Sequence, residues 1–462
     1  MKAVAGYKYL LPFVFLFTIT SCDHNDPKPS SENDHVNSWI YENMKTWYYW
    51  TSQLPADPDK TLEPEPFFES LLSTEDRFSW IQKDFTELVN SLRGVSKEDG
   101  FEFALFRASA DNNDVIAQIV YVKPNSPASA AGLKRGDIFS QINGTQITVQ
   151  NYQELLAKLS ENHTLSVRSL DIDAMNHGAL QTVSLVPVEY AEDPNYFNTV
   201  FTYGDRVIGY YVYNLFSNGP DADSKTYTNQ MDNIFASFKS QNITDLIVDL
   251  RFNSGGAESA AQNLASLISN NLGTSTLFVK HEYNDQIEAQ IKADPTLGEK
   301  ILSVPFLSKT QSVGGQLREN RVYILTGTRT ASASELIING LKPFMDVYLI
   351  GNTTVGKNVG SISIYDEEDP GNKWGIQPIV VKLFNSQDQS DYTNGFAPQA
   401  VIPDNNLYIY PLGDPRESLL RKALFQITGL GTFAREAAPE KAGELLFHSL
   451  DLKKRSGVVT VD

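Results

Sequence analysis

One cysteine, Cys22, stands in a chain of 462 residues. A single thiol forms no internal disulfide and leaves no cysteine cluster to hold a structural zinc. Histidine is almost as scarce, with six residues at positions 24, 35, 163, 177, 281 and 448. None sits in an H-E-x-x-H pair, so metal-dependent hydrolysis has no motif here. Positive charge is short too: 38 Lys and Arg face 56 Asp and Glu, a formal net charge of −18. That balance argues against nucleic-acid binding, which needs a basic face. No G-x-S-x-G elbow is present, so an ordinary esterase has no motif either. Long apolar runs are confined to one place, Tyr9 to Ile19.

That run follows Lys2 and Lys8. It is too short for a bilayer span, which takes about 20 apolar residues, and has the make-up of a secretory signal. It ends in Ile19-Thr20-Ser21-Cys22, which resembles a bacterial lipobox. The alternative is an incidental cysteine. The resemblance implies cleavage before Cys22 and a lipid on it, hence a protein exported to the cell envelope and held at a membrane. Residues 23–36 are polar, with two prolines and four acids, and read as a flexible tether.

The remaining length suits about three domains. From Asn37 to about residue 84 the spacing is helical: Trp39, Ile40, Met44, Trp47 and Tyr48, then Phe67, Phe68, Leu71 and Leu72. Such an aromatic stripe is a core face or a ligand box, and core packing is the simpler account. From Phe85 to about residue 190 short strands dominate. Residues 195–430 alternate strands and helices, which implies an α/β layer. Here ITDLIVDLRFNSGG, RVYILTG and DVYLIG are the buried strands, and AESAAQNLASLI and SELIINGL the helices. Residues 431–462 read as a C-terminal tail, frayed over the last dozen residues.

Two short stretches carry chemistry. In TGTRTASASELIING a run of small residues and hydroxyls lies between an apolar strand and a helix. Backbone N–H groups are unpaired at such a turn and can hold an oxyanion beside a nucleophilic serine. Ser332-Ala-Ser-Glu335 also fits a plain capping box, S-x-x-E. A serine nucleophile needs a base. No histidine lies near these elements, but Lys357 follows the next strand in GNTTVGKNVG. A lysine desolvated in a pocket loses its proton near neutral pH.

The segment IVYVKPNSPASAAGLKRGDIFSQINGTQIT, residues 119–148, resembles a PDZ domain. PDZ domains add a ligand tail as a strand to a sheet edge and hold its carboxylate on loop N–H groups. That implies a binding loop at Gly100, Phe101, Glu102 and Phe103, although Gly100 also suits an ordinary turn. The order of PDZ segment, DLRFNSGG, TASASE and GNTTVGKNVG is similar to that of the S41 serine peptidases, the C-terminal processing proteases, across most of residues 85–405. The helical N-terminal domain is similar to that of lipoprotein members from the Bacteroidetes group. The resemblance implies a multidomain α/β protein: a helical N-terminal domain, a PDZ-like β domain, and a ClpP/crotonase-like ββα peptidase core.

It further implies Ser332 as nucleophile, Lys357 as base, and an oxyanion site from Ala333 with Gly255 or Gly256. Where many members carry a glutamine that orients the lysine, this chain has Ser361. Ser361 is therefore the candidate third catalytic residue, and the substitution leaves a tail-binding protein with a weak or lost activity as the alternative. The implied partners are protein or peptide substrates with free C-terminal tails and a membrane reached through the lipid. No cofactor and no metal is expected.

Overall fold

The computed structural model describes residues 32–109, 111–294, 298–403, 406–433, 441–453 and 459–460. The apolar segment read as a signal, Cys22 and most of the stretch read as a tether lie outside the described residues.

The aromatic stripe is core. Helices Glu32–Trp47 and Pro64–Ser70 bury Ile40, Met44, Phe67 and Phe68, with Tyr48 just past the first helix, against Ile81 and Ile376. The first helix begins inside the stretch whose composition suggests tether, because Val36 is already part of this core. The domain is not wholly helical. Trp80–Gln82 is a strand that pairs antiparallel with Gly375–Gln377, far along the chain. Residues Phe85–Arg93, where strands were expected to begin, form a helix. Asp84 caps it by accepting the Thr86 N–H at 2.7 Å, and Gly94 closes it at φ 80°. Local capping outweighs the strand-rich composition downstream.

The PDZ-like domain is a sheet whose strands Phe101–Arg107, Val115–Val122, Ile138–Ile142, His163–Asp171 and Asn176–Leu185 lie side by side in that order. Asn143 and Gly144, at φ 51° and 75°, make the two-residue hairpin that an Asn-Gly pair specifies. Phe101, Phe103, Leu105, Phe139 and Leu156 form its core.

In the peptidase-like domain Arg206–Val212, Asp245–Asp249, Arg321–Thr326, Asp346–Gly351 and Ala400–Val401 run parallel, with Phe197–Tyr203 antiparallel at one edge. Both faces are covered, as a mostly parallel sheet requires. Helices Glu258–Ile268 and Ala333–Leu341 share one face with Thr226–Ser240. The last of these has Met231, Phe235 and Phe238 as its buried stripe and was not read from the sequence. Helix Ser418–Thr428 covers the other face, together with Ala104, Phe106, Val120 and Tyr121 of the PDZ-like domain.

The C-terminal segment departs most from expectation. Leu445–His448 is a strand on the edge of the PDZ-like sheet, and Val459–Thr460 lies within the second six-stranded sheet, between Gly256–Ala257 and Val359–Ser361. Both fill edges whose N–H and C=O groups would otherwise be open. Neither has a strong local signature of its own.

Candidate active site

Strand Arg321–Thr326 is buried after its first residue, and helix Ala333–Leu341 is buried at every position. The turn between them is pinned to the loop after Asp249. The Thr330 hydroxyl donates to Leu250 O at 2.8 Å and accepts the Gly327 N–H at 2.8 Å. The Ser334 hydroxyl donates to Asn253 O at 3.0 Å. Held this way, Ser332 adopts φ 61° and ψ −113°. Non-glycine residues enter such sparsely populated regions at a cost of about 1–3 kcal/mol, and such strain clusters at active sites.

Ser332 and Glu335 stand in a capping box, and its well-formed half is the Ser332 N–H donating to Glu335 Oε2 at 2.8 Å. Glu335 does more than cap. The same Oε2 accepts the Lys357 N–H at 2.8 Å, while Oε1 accepts the Gly356 N–H at 2.6 Å and the Thr354 hydroxyl at 2.5 Å. One buried carboxylate thus ties the Ser332 turn to the Lys357 loop. Burial raises the Glu335 pKa; these four hydrogen bonds restrain the rise without cancelling it. The sequence shows this glutamate only as a cap, because the loop it binds lies some twenty residues away.

The two side chains read as nucleophile and base are both fully buried. Ser332 Oγ and Lys357 Nζ have no hydrogen-bond partner among the described residues. Leaving such groups unmade is costly in a core, so each of the two calls for a reason beyond packing. Burial pushes the Lys357 pKa down to about 7, against the opposing pull of Asp76 and then Glu335. The Phe78 ring stands 5.0 Å from Nζ and supplies apolar surface there. Arg77 holds this segment in place, donating to Gly356 O at 2.8 Å and Thr393 O at 3.0 Å. Asp76, Arg77 and Phe78 come from the N-terminal domain and were missed by sequence reasoning. Their link to Lys357 is purely tertiary.

Ser361 is buried, but its hydroxyl accepts from Gln377 Nε2 at 3.0 Å. It makes no hydrogen bond with Lys357, whose Nζ is unpartnered. The glycine loop is more selective than DLRFNSGG suggested. The Gly255 N–H donates to Asn253 Oδ1 at 2.9 Å, so it is already committed, while Gly256 pairs in a parallel ladder with Val459 of the C-terminal segment. Gly256 sits at φ 135°, where a Cβ would lie 2.0 Å from Phe216 O. Ala333 opens the buried helix, at the end where backbone N–H groups have no intrahelical acceptor. None of the described histidines bonds Ser332. His281 pairs with Glu258 at 2.9 Å and His163 with Asp99 at 3.4 Å. Among the described residues no group of acids, histidines or cysteines is placed to hold a metal ion, and no helix is long and apolar enough to cross a membrane.

The Asp-Leu-Arg part of the motif anchors this loop. Arg251 is fully buried and donates from Nε and Nη2 to Asp249 at 2.8–3.1 Å and from Nη1 and Nη2 to Glu417 at 2.5 and 2.8 Å. Tyr210 adds its hydroxyl to Asp249 at 2.7 Å.

Three family models match in the order the structure shows. They are the peptidase S41 N-terminal domain over residues 35–80, a PDZ domain over 118–169, and peptidase family S41 over 207–402. The chain belongs to peptidase family S41. The matched core contains Ser332, Glu335 and Lys357. A curated relative, the carboxy-terminal processing protease CtpA of Bacillus subtilis, is 25% identical over 392 residues, covering 81% of this chain and 70% of the relative. The carboxyl-terminal-processing protease of a Picosynechococcus strain is 23% identical, covering 68% of this chain and 67% of its own. A crystal structure from Bacteroides fragilis, described there as an S41 protease, superposes with a TM-score of 0.71 at 27% identity. It covers 85% of this chain and 97% of that one. The protein is therefore a serine-type endopeptidase of the S41 family carrying a PDZ domain.

Of the residues read as a PDZ binding loop, Gly100 makes a turn and Phe101, Glu102 and Phe103 open a sheet strand. Gly100 turns at φ 82°, where a Cβ would lie 2.1 Å from the Ser126 Cβ. The edge beyond it is taken. The Phe103 N–H donates to the Ser449 hydroxyl at 2.8 Å, and strand Leu445–His448 pairs with Ala104–Phe106. Glu102, expected to help hold a substrate carboxylate, is buried with Lys123 at 3.2 Å and Ser449 at 2.6 Å.

Proposed function

We propose that this S41 peptidase is a lipid-anchored envelope endopeptidase that works by a Ser332–Lys357 mechanism on substrates presented by their tails. The observation that carries the mechanism is the buried, unpartnered pair of Ser332 Oγ and Lys357 Nζ, tied together through Glu335. Neutral Lys357 accepts the proton as Ser332 Oγ bonds to the peptide carbonyl carbon. The resulting oxyanion sits on the N–H groups of Gly256 and Ala333. Lys357 then returns the proton to the departing amine. Water, activated in the same way, releases the acid from the acyl-enzyme and regenerates Ser332. Asp76 and Glu335 oppose the loss of the Lys357 proton, and apolar burial outweighs both.

The reaction needs the free amine, so kcat/KM for an unfolded reporter should rise with pH and level off above an apparent pKa near 7. Replacing Phe78 by Ala should move that limb to higher pH by admitting water to Nζ. A limb at the ordinary lysine pKa in the wild type, or none that tracks Phe78, would sink the Lys357 assignment.

The anchor rests on the apolar segment ending at Cys22. Cys22→Ser expressed in a bacterium should leave the membrane fraction for the soluble envelope fraction. Equal partition of both forms would show that the lipid reading is wrong.

A further inference from the structure

We propose that the C-terminal segment of this chain is a resident ligand of its own recognition and catalytic surfaces, which incoming substrate tails must displace. The inference rests on the peptidase reading and names the ligand chemistry that the PDZ groove takes.

The first observation is at the PDZ domain. Leu445–His448 runs antiparallel to Phe101–Arg107, with Leu445 opposite Phe106 and His448 opposite Ala104. Its direction carries the segment toward the Gly100 loop, as a strand-added tail would run. The Arg107 N–H donates to Glu444 O at 2.9 Å, and the Phe103 N–H to the Ser449 hydroxyl at 2.8 Å. Ser449 in turn donates to Glu102 at 2.6 Å. Leu446 and Phe447 pack on the PDZ core, and the Phe447 ring lies 6.2 Å from that of Tyr152, at the start of the helix Tyr152–Ala157. So the groove between edge strand and helix is filled by two adjacent large apolar residues, followed at the loop by a hydroxyl. The occupant is an internal segment, and no chain-terminal carboxylate is used.

The second observation is independent and lies at the cleft. Backbone of Val459–Thr460 pairs parallel with Gly256–Ala257, and Thr460 also pairs with Ser361. One wall carries the oxyanion glycine, and the other is the strand that follows Lys357. Between the two sites the segment is held by charge. Arg329, three residues before Ser332, grips Asp451 in a fork at 2.8 and 2.7 Å. Lys453 bonds Glu98 at 3.1 Å and also meets Glu102.

A ligand that occupies a site in cis lowers the apparent affinity for any competitor by the fraction of time the site is open. If the groove is free a tenth of the time, releasing the segment gains about 10-fold. The test uses a fluorescent peptide of residues 443–453 and an unfolded reporter whose tail carries the Leu-Phe-His-Ser order of residues 446–449. In the full chain, Leu446→Asp with Phe447→Asp should bind the peptide at least about 10-fold tighter than wild type. Its kcat/KM on the reporter should rise by a similar factor. Val459→Pro, which places a proline in the strand paired with Gly256–Ala257, should raise reporter turnover while leaving peptide binding at the wild-type level. Should the double variant melt early, the chain ending at Glu440 replaces it. Equal peptide binding by wild type and released chain, or, where the wild type cleaves the reporter, unchanged turnover in both variants, would overturn the proposal. Peptide binding is read without hydrolysis. A chain that binds as expected yet cleaves nothing therefore sinks the Ser332–Lys357 reading and leaves this one standing.

Discussion

Ser332→Gly should abolish peptide hydrolysis and at the same time make the protein more stable. Loss of a nucleophile that acts as a unit with its base costs on the order of 10⁶ in kcat. The stability gain comes from the backbone. Ser332 is held at φ 61° and ψ −113°, where glycine meets no Cβ penalty, so about 1 kcal/mol of strain should be released. The serine hydroxyl makes only the loose capping contact to the Glu335 N–H and no well-formed hydrogen bond among the described residues, so the fold loses little with it. Thermal unfolding and reporter cleavage on the same preparation decide the matter. Residual Ser332-independent cleavage would exclude this nucleophile, and a lowered Tm would show that the hydroxyl holds the turn.

Lys357 should follow the same logic. Its pKa is depressed in the folded state, from its ordinary 10.5 to about 7. The unfolded chain therefore binds more protons between those values, and the native state gains stability as pH rises through that window. Replacing Lys357 by Met should stabilise most at and below pH 7 and least near pH 10.5, with hydrolysis lost throughout. Two inactive variants that both stabilise would identify strain and burial kept for function.

Arg251→Met should produce the largest loss of stability of any single change to the motif. Arg251 neutralises two buried carboxylates, Asp249 and Glu417. Removing it leaves both without their ion pair, which typically costs about 3–5 kcal/mol. The pH dependence gives the check. Burial alone would raise the Glu417 pKa, but Arg251 and then Arg135 reverse this and hold it at about 2. The stability due to this pairing is present above the ordinary carboxylate range and is lost as pH falls through about 2. The gap between wild type and Arg251→Met in urea melts should therefore be wide at pH 7 and narrow toward pH 3. A gap that stays constant with pH would mean that Arg251 contributes packing alone. Activity should fall as well, since Asp249 and Arg251 anchor the strand end that presents Asn253 and Gly256.

Much of this was legible in the amino-acid order because the deciding interactions are local. Asn143-Gly144 needs only its own φ values to make a hairpin. The aromatic spacing from Trp39 to Tyr48 makes a buried helix face wherever a partner is found. The small residues of TASASE mark a tight strand-to-helix turn, and the glycines of DLRFNSGG mark a close backbone approach. Those features left the serine turn open between a cap and an active site, and the resemblance in motif order to the S41 peptidases made Ser332 and Lys357 the candidates. Tertiary structure alone decided the rest, because it depends on groups that meet across the fold. Glu335 became the link between the serine turn and the lysine loop. Asp76 and Phe78 arrived from another domain to set the surroundings of Nζ. Gly255 lost its N–H to Asn253, and Ser361 turned to Gln377 instead of the lysine. The tail shows the limit most clearly. ELLFHS carries no turn signal and no strong strand pattern. Its strand exists because a sheet edge had backbone groups to pair, a property of the PDZ domain's edge and not of the tail's own residues.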